Sequence, residues 1–239
     1  MPITITGGMT LGAMTLSPPA NYSVQFNGTS QYLSFTNNTA FGSGSFTLET
    51  WLYPTATPSI NAWIYGFRNG ADTSPYLFFN SSRTPIFAGD ITTYLTSSTA
   101  LALNVWSHVA VVRSGTAMTM YINGTSVATA TSSQNFSYTG TNNIGFANGA
   151  NSYYYQGYIS NFRIVIGTAV YTSAFTPSTL GPIPATQPAN LYGNPSAAIA
   201  SGTSLLTCQS STIIDNSTNA VTITNNGGAT VSPTVSPFP

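Results

Sequence analysis

Lysine is absent from this chain of 239 residues, histidine and cysteine occur once each, and only 3% of the residues are charged. Ordinary soluble domains carry about 25% charged residues, so charge is the scarcest resource here. Without lysine there is neither a phosphate-loop lysine nor a Schiff-base amine. A single histidine, His108, excludes zinc helices of the His-Glu-x-x-His type and any site built from several imidazoles. A Ser/His/Asp triad would have to form around His108, and no Gly-x-Ser-x-Gly nucleophile elbow accompanies it. Cys208 has no partner for an internal disulfide. The four cations, Arg68, Arg83, Arg113 and Arg163, are too few and too scattered for the basic stripe that phosphate binding requires. No apolar run approaches the roughly 18 residues of a membrane span, and the start, Met1-Pro2-Ile3-Thr4, lacks the positive and apolar regions of a secretory signal. The expectation is a protein that neither binds nucleic acid nor inserts into a membrane.

What is present is a globular composition. Hydrophobic residues make up 42% and the net charge is zero, the opposite of the low-hydrophobicity, high-charge signature of disorder. Solubility therefore rests on Ser, Thr, Asn and Gln. A neutral surface does little to keep copies apart, which suits a protein held in a fixed assembly.

Short alternating runs rich in Thr, Val, Ile, Tyr and Phe are separated by Gly, Asn and Pro, and predict an all-β protein. In Met118–Ile122 the two methionines and Ile122 share a face. Asn123-Gly124 follows, and then residues 126–130, which predicts a hairpin because both positions of a type I′ turn take positive φ. Asn27-Gly28 is read as the same device between residues 22–26 and 31–35. Further strands are expected at 46–53, 62–67, 76–80, 91–95, 105–113 and 158–166, and after residue 203 at 204–208, 213–214, 221–224 and 229–232. So many short strands point to a sandwich or barrel. Residues 1–20 read as an N-terminal arm, 21–180 as the sandwich, 181–202 as a Pro-rich connection, and 203–239 as C-terminal strands that complete the sandwich or pair with a neighbouring copy.

The segments Ser23–Leu33, Phe46-Thr-Leu-Glu-Thr-Trp51, Trp106-Ser-His-Val-Ala-Val-Val-Arg113 with Met120-Tyr-Ile-Asn-Gly124, and Gly157-Tyr-Ile-Ser-Asn-Phe-Arg163 occur in the order found in concanavalin A-like, laminin G-like domains. The chain resembles that family over residues 21–180. The resemblance implies an antiparallel β-sandwich (jelly roll), here with a circularly permuted order, because the strands after Ser204 resemble those that usually precede Phe26-Asn27-Gly28. The continuation Gly167–Pro177, Thr203–Ser210 and Asp215–Thr218 is similar to a subgroup found in virion proteins of marine bacteriophages. That similarity implies a structural protein on the capsid or tail, exposed on the particle surface. Its partners would be other virion proteins, further copies of itself in a homo-oligomer, and host cell-surface polysaccharide. A dedicated receptor-binding tail fibre or adhesin is the alternative, and a glucanase-like hydrolase a third.

Glycoside hydrolysis needs a pair of carboxylates about 5–10 Å apart. Glu49, Asp72, Asp90 and Asp215 are dispersed along the chain, so no catalytic residue and no enzymatic activity is assigned. No cofactor is expected. Calcium stays open through Asp72, Asp90 and Asp215, although the family's acidic pair in the closing motif is Ser160-Asn161 here. Carbohydrate recognition calls for aromatic faces beside amides and main-chain groups. Two segments offer the mixture: Trp63, Tyr65 and Arg68, and Asn148, Asn151, Tyr153, Tyr154 and Tyr155.

Overall fold

The computed structural model describes residues 21–147 and 153–238. The expected arm at 1–20 and the candidate residues Asn148 and Asn151 lie outside them. In chain order the strands are β1 Ser23–Asn27, β2 Tyr32–Asn37, β3 Phe46–Pro54, β4 Asn61–Gly66, β5 Tyr76–Asn80, β6 Pro85–Ala88, β7 Thr93–Thr96, β8 Ser107–Ser114, β9 Ala117–Ile122, β10 Thr125–Thr131, β11 Gly140–Ile144, β12 Phe146–Ala147, β13 Tyr153–Tyr154, β14 Gln156–Ile166, β15 Thr203–Thr207, β16 Ile223–Asn226 and β17 Thr230–Ser232. They form two large antiparallel sheets. Sheet one has the order β10-β9-β8-β3-β14-β1-β17, with β15 on a second stretch of β14, and sheet two the order β16-β2-β11-β4-β5-β6-β7. The fold is an all-β antiparallel sandwich, as the resemblance implies.

Alternation along the strands builds the core between the sheets. Phe46, Leu48, Val109, Val111, Met118 and Met120 from sheet one meet Leu33, Ile64, Leu77, Phe79, Phe87 and Ile144 from sheet two, all fully covered. Each such side chain contributes about 1.5–3 kcal/mol by leaving water. The β9–β10 hairpin turns at Asn123 and Gly124, with φ of 50° and 76°, as type I′ geometry demands. Gly124 could be no other residue, because a Cβ there would lie 1.7 Å from the carbonyl oxygen of Phe175.

The second Asn-Gly behaves differently. β1 pairs with β14 and β17, whereas β2 pairs with β11 and β16, so Asn27-Gly28 makes a corner between sheets and not a hairpin. The Asn27 Oδ1 accepts from the amides of Thr29, Ser30 and Gln31 at 3.0–3.1 Å, which satisfies the corner's backbone without a strand partner. The C-terminal strands pair inside the chain: β15 on β14, β16 on β2, and β17 on β1. Ile213-Ile214 is no strand. The adjacent Asp215 caps a turn there, accepting from the amides of Leu206, Ser217 and Val221.

Residues 167–199 form a strap over the outer face of sheet one. Thr47 Oγ1 donates to the carbonyl of Thr168 and accepts from the amide of Val170. Asn161 Oδ1 accepts from Ile183 at 2.6 Å, and the amide of Phe175 donates to the carbonyl of Gly124. Among the described residues no helix is long and apolar enough to cross a membrane.

Candidate functional site

The two outer faces of the sandwich are built from different materials. On sheet one, β3, β8 and β14 turn Glu49, Trp51, His108 and Arg163 outward beneath the strap. The Glu49 carboxylate is fully buried. Its Oε1 accepts from Arg163 Nε at 2.8 Å and Nη2 at 2.5 Å, and its Oε2 from His108 Nε2 at 3.0 Å and the Tyr171 hydroxyl at 2.9 Å. Burial by itself would raise the Glu49 pKa, but the Arg163 charge and the His108 contact outweigh it and hold the group at about 2. Arg163 Nη1 donates onward to Pro184 O and Gln187 Oε1, which ties the strap to the sheet.

On sheet two, β4, β5 and β6 turn Trp63, Tyr76, Phe78 and Ile86 outward, and β12 and β13 fold over them. Trp63 stacks on Phe78 (centroids 4.8 Å apart) and on Tyr153 (5.8 Å). Tyr154 turns the other way, onto Phe146 at 4.6 Å and Tyr32 at 6.3 Å. Between this tyrosine pair and the loop from β3 to β4 runs a groove of about 230 Å³ lined by Gly28, Ala56–Ala62, Tyr153, Tyr154 and Gln156. Both tyrosines are half-buried, and Gln156 and Ile60 are exposed. An amphipathic ring pair beside Ser59, Asn61 and Gln156 can stack a flat apolar face and hydrogen-bond its substituents, the usual construction of a small-ligand site.

The predicted site residues therefore divide. Tyr153 and Tyr154 line the groove. Trp63 is buried behind Tyr153. Tyr65 and Tyr155 are corrected to core residues, at 1% and 0% exposure. Alternation predicts that Tyr65 shares the face of Trp63, but a bulge intervenes: Trp63 opposes Phe78 while Tyr65 opposes Leu77, so Tyr65 turns inward. Tyr155 lies between β13 and β14, its ring edge-on to Phe26 and Phe79, and burial pushes both phenols well above their ordinary range. Arg68 sits in the loop after β4, its Nε 2.8 Å from Asp90 Oδ1. The groove's other wall, residues 56–61, was invisible to pattern reading because its composition is that of any turn.

The residues considered for calcium are engaged by protein donors. Asp72 accepts from the amides of Ile91 and Thr92 and the Thr92 hydroxyl, and Asp90 from Arg68 and the Gly70 amide. Ser160 Oγ donates to Tyr22 O and accepts from Asn161 Nδ2. No group of three or more His, Cys, Asp or Glu that could hold a metal occurs among the described residues.

Residues 27–177 match the laminin G-like family described as the concanavalin A-like lectin/glucanases superfamily. No curated protein matches the sequence. Among solved structures, a Bacteroides ovatus protein provisionally assigned to carbohydrate binding is 18% identical with a TM-score of 0.59, covering 90% of this chain. This chain spans 60% of that structure's length, and the likeness is one of fold. Mouse laminin α1 chain domains LG4-5 give 13% identity and a TM-score of 0.49, over 66% of this chain and 48% of theirs. The CBM40 of a Ruminococcus gnavus sialidase, bound to α2,3-sialyllactose, gives 15% and 0.49, over 63% and 91%.

Proposed function

Because the chain belongs to the laminin G-like family of the concanavalin A-like lectin/glucanase superfamily, we propose that it is a non-catalytic carbohydrate-recognition protein displayed on a bacteriophage particle. The observation that carries the binding role is the groove beside Tyr153 and Tyr154, where two half-buried rings line the same cleft as the amide and hydroxyl groups of Ser59, Asn61 and Gln156. The likeness of fold to the Bacteroides ovatus protein, at a TM-score of 0.59, agrees with it. The non-catalytic reading is supported by the acids themselves: each of the four carboxylates is engaged by scaffold donors, and none stands opposite another across the groove. Engagement of Asp72 and Asp90 also supports binding without calcium.

The virion setting rests on the resemblance of Gly167–Pro177 and Thr203–Ser210 to phage virion proteins and on a nearly uncharged surface. In that setting the partners are other virion proteins and copies of the same chain in a homo-oligomer. A shallow groove binds a single glycan weakly, and many copies on one particle convert weak contacts into firm attachment. The test is binding of multivalently presented protein to a panel of bacterial surface polysaccharides, with calcium and with chelator. Saturable binding competed by a defined sugar, insensitive to chelator and weakened about tenfold by Tyr154→Ala, is the expected result. No binding to any member of the panel would leave particle architecture as the role.

A further inference from the structure

The strap does not lie flush on sheet one. A cavity of about 30 Å³ remains between them, space for about two waters or an inserted group of a few heavy atoms. Trp51, Tyr171 and Phe175 wall it, and His108 lines it beside Arg163. Since Glu49 is held as a carboxylate and can only accept, His108 Nε2 carries the proton of their hydrogen bond. The other ring nitrogen, Nδ1, is buried without a hydrogen-bond partner among the described residues, in a residue only 1% exposed overall. A buried ring nitrogen left unpaired is uncommon and calls for a hydrogen-bond partner.

The rim adds a second anomaly. Asn190 and Tyr192 both take φ of 54°, and Tyr192, a bulky residue for which this conformation is rare, stands 48% exposed at the edge of the cavity. Strain of this kind persists where surrounding structure enforces it, and it concentrates at ligand clamps. Glu49 and Arg163 are paired with each other below the cavity, so neither charge is left over to hold an ionic ligand.

We propose that this cavity is a second binding site, which takes the hydroxyl-bearing end of a small neutral ligand of the sugar or polyol class. One hydroxyl, able to donate or accept, hydrogen-bonds His108 Nδ1, the C–H face of the inserted group lies against Trp51 and Phe175, and the remainder emerges beside Tyr192 and Asn194. The site shares no lining residue with the tyrosine groove, which is formed by the β3–β4 loop, β13 and Gln156. Leu191, Tyr192 and Asn194 of its rim fall beyond the matched residues 27–177, so it depends on this chain's strap and not on the shared sandwich.

His108 is the chain's single histidine, so its imidazole nitrogens give an unambiguous signal in the full chain labelled with nitrogen-15. The protein is titrated with methyl α-glucopyranoside, methyl α-galactopyranoside, N-acetylglucosamine and glycerol. A saturable shift of Nδ1 with at least one of them is expected. Thr176→Trp, an exposed rim substitution that touches none of the buried charges, weakens that binding about tenfold or more by blocking entry, with the melting temperature retained. Tyr154→Ala leaves the shift unchanged. Absence of a saturable shift with all four probes would mean that water alone fills the cavity and would overturn the proposal. Loss of the shift in Tyr154→Ala would also overturn it, by assigning the binding to the groove.

Discussion

The two outer faces of this sandwich solve one problem in opposite ways. On sheet one, a face that carries Glu49, His108 and Arg163 is covered by residues 167–199 except at the small cavity beside His108, and Glu49 and Arg163 are paired where they are covered. On sheet two, the outward residues are aromatic and are only partly overlaid, so Tyr153 and Tyr154 remain at the surface. A charged patch can be buried only if its partners are buried with it, so the Glu49–Arg163 pair of the first face becomes fixed scaffold behind the small cavity. An aromatic patch has no such requirement and can stay available to a ligand. With so few charges in the chain, concentrating a three-member cluster under one strap leaves little to hold loops elsewhere. Arg113 shows how main-chain carbonyls substitute: its guanidinium donates to Gly44, Gln134 and Gly42 and lies over Phe46 and Phe136 without any acid.

The sharpest way to break the contrast is Glu49→Gln. It keeps the shape but leaves Arg163 buried without its counter-charge, and removing one partner of a buried pair costs about 3–5 kcal/mol. Chemical denaturation should show a loss of that size; a loss below 1 kcal/mol would mean that the strap is held without the charge cluster. Next in size is the acid limb of stability. The folded pKa of Glu49 is about 2 against an ordinary 4.5. Its contribution, about 3 kcal/mol by linkage, is fully present above pH 4.5 and is lost as pH falls towards 2. Denaturation midpoints between pH 5 and pH 2 should therefore fall more steeply for the native chain than for Glu49→Gln, and parallel curves would refute the assignment. The smallest effect belongs to sheet two. Arg68→Met breaks an ion pair whose arginine side chain is 41% exposed, and surface pairs contribute about 1 kcal/mol or less. A shift comparable to that of Glu49→Gln would erase the distinction between the faces.

The strands with strong alternation were legible in advance. Met118–Ile122 places its methionines in the core as its pattern requires, and the turn at Asn123-Gly124 has the geometry its residues favour. β11 was not legible: Gly-Thr-Asn-Asn-Ile has neither β-branched runs nor clean alternation, yet it pairs with both β2 and β4 and buries Asn142 and Asn143. Its position between two strands outweighs its weak intrinsic preference. The site was half legible. The aromatic run 153–155 marked the right region, but a run of three tyrosines does not say which ring faces the core, and Tyr155 does.

Composition, periodicity and turn residues were enough to determine that this chain is all-β, a sandwich or a barrel, and that it has no lysine, no partner for its one cysteine and acids dispersed along the sequence, because those properties depend on residue types and local spacing alone. Which sheet each strand joins, whether Asn27-Gly28 makes a hairpin or a corner, the inward turn of Tyr65 at a bulge, and the meeting of Glu49 with Arg163, 114 residues away, were decided only in the tertiary structure. Each depends on pairings between distant segments, and the free energy of those pairings comes from burial and charge compensation that no local window of the chain contains.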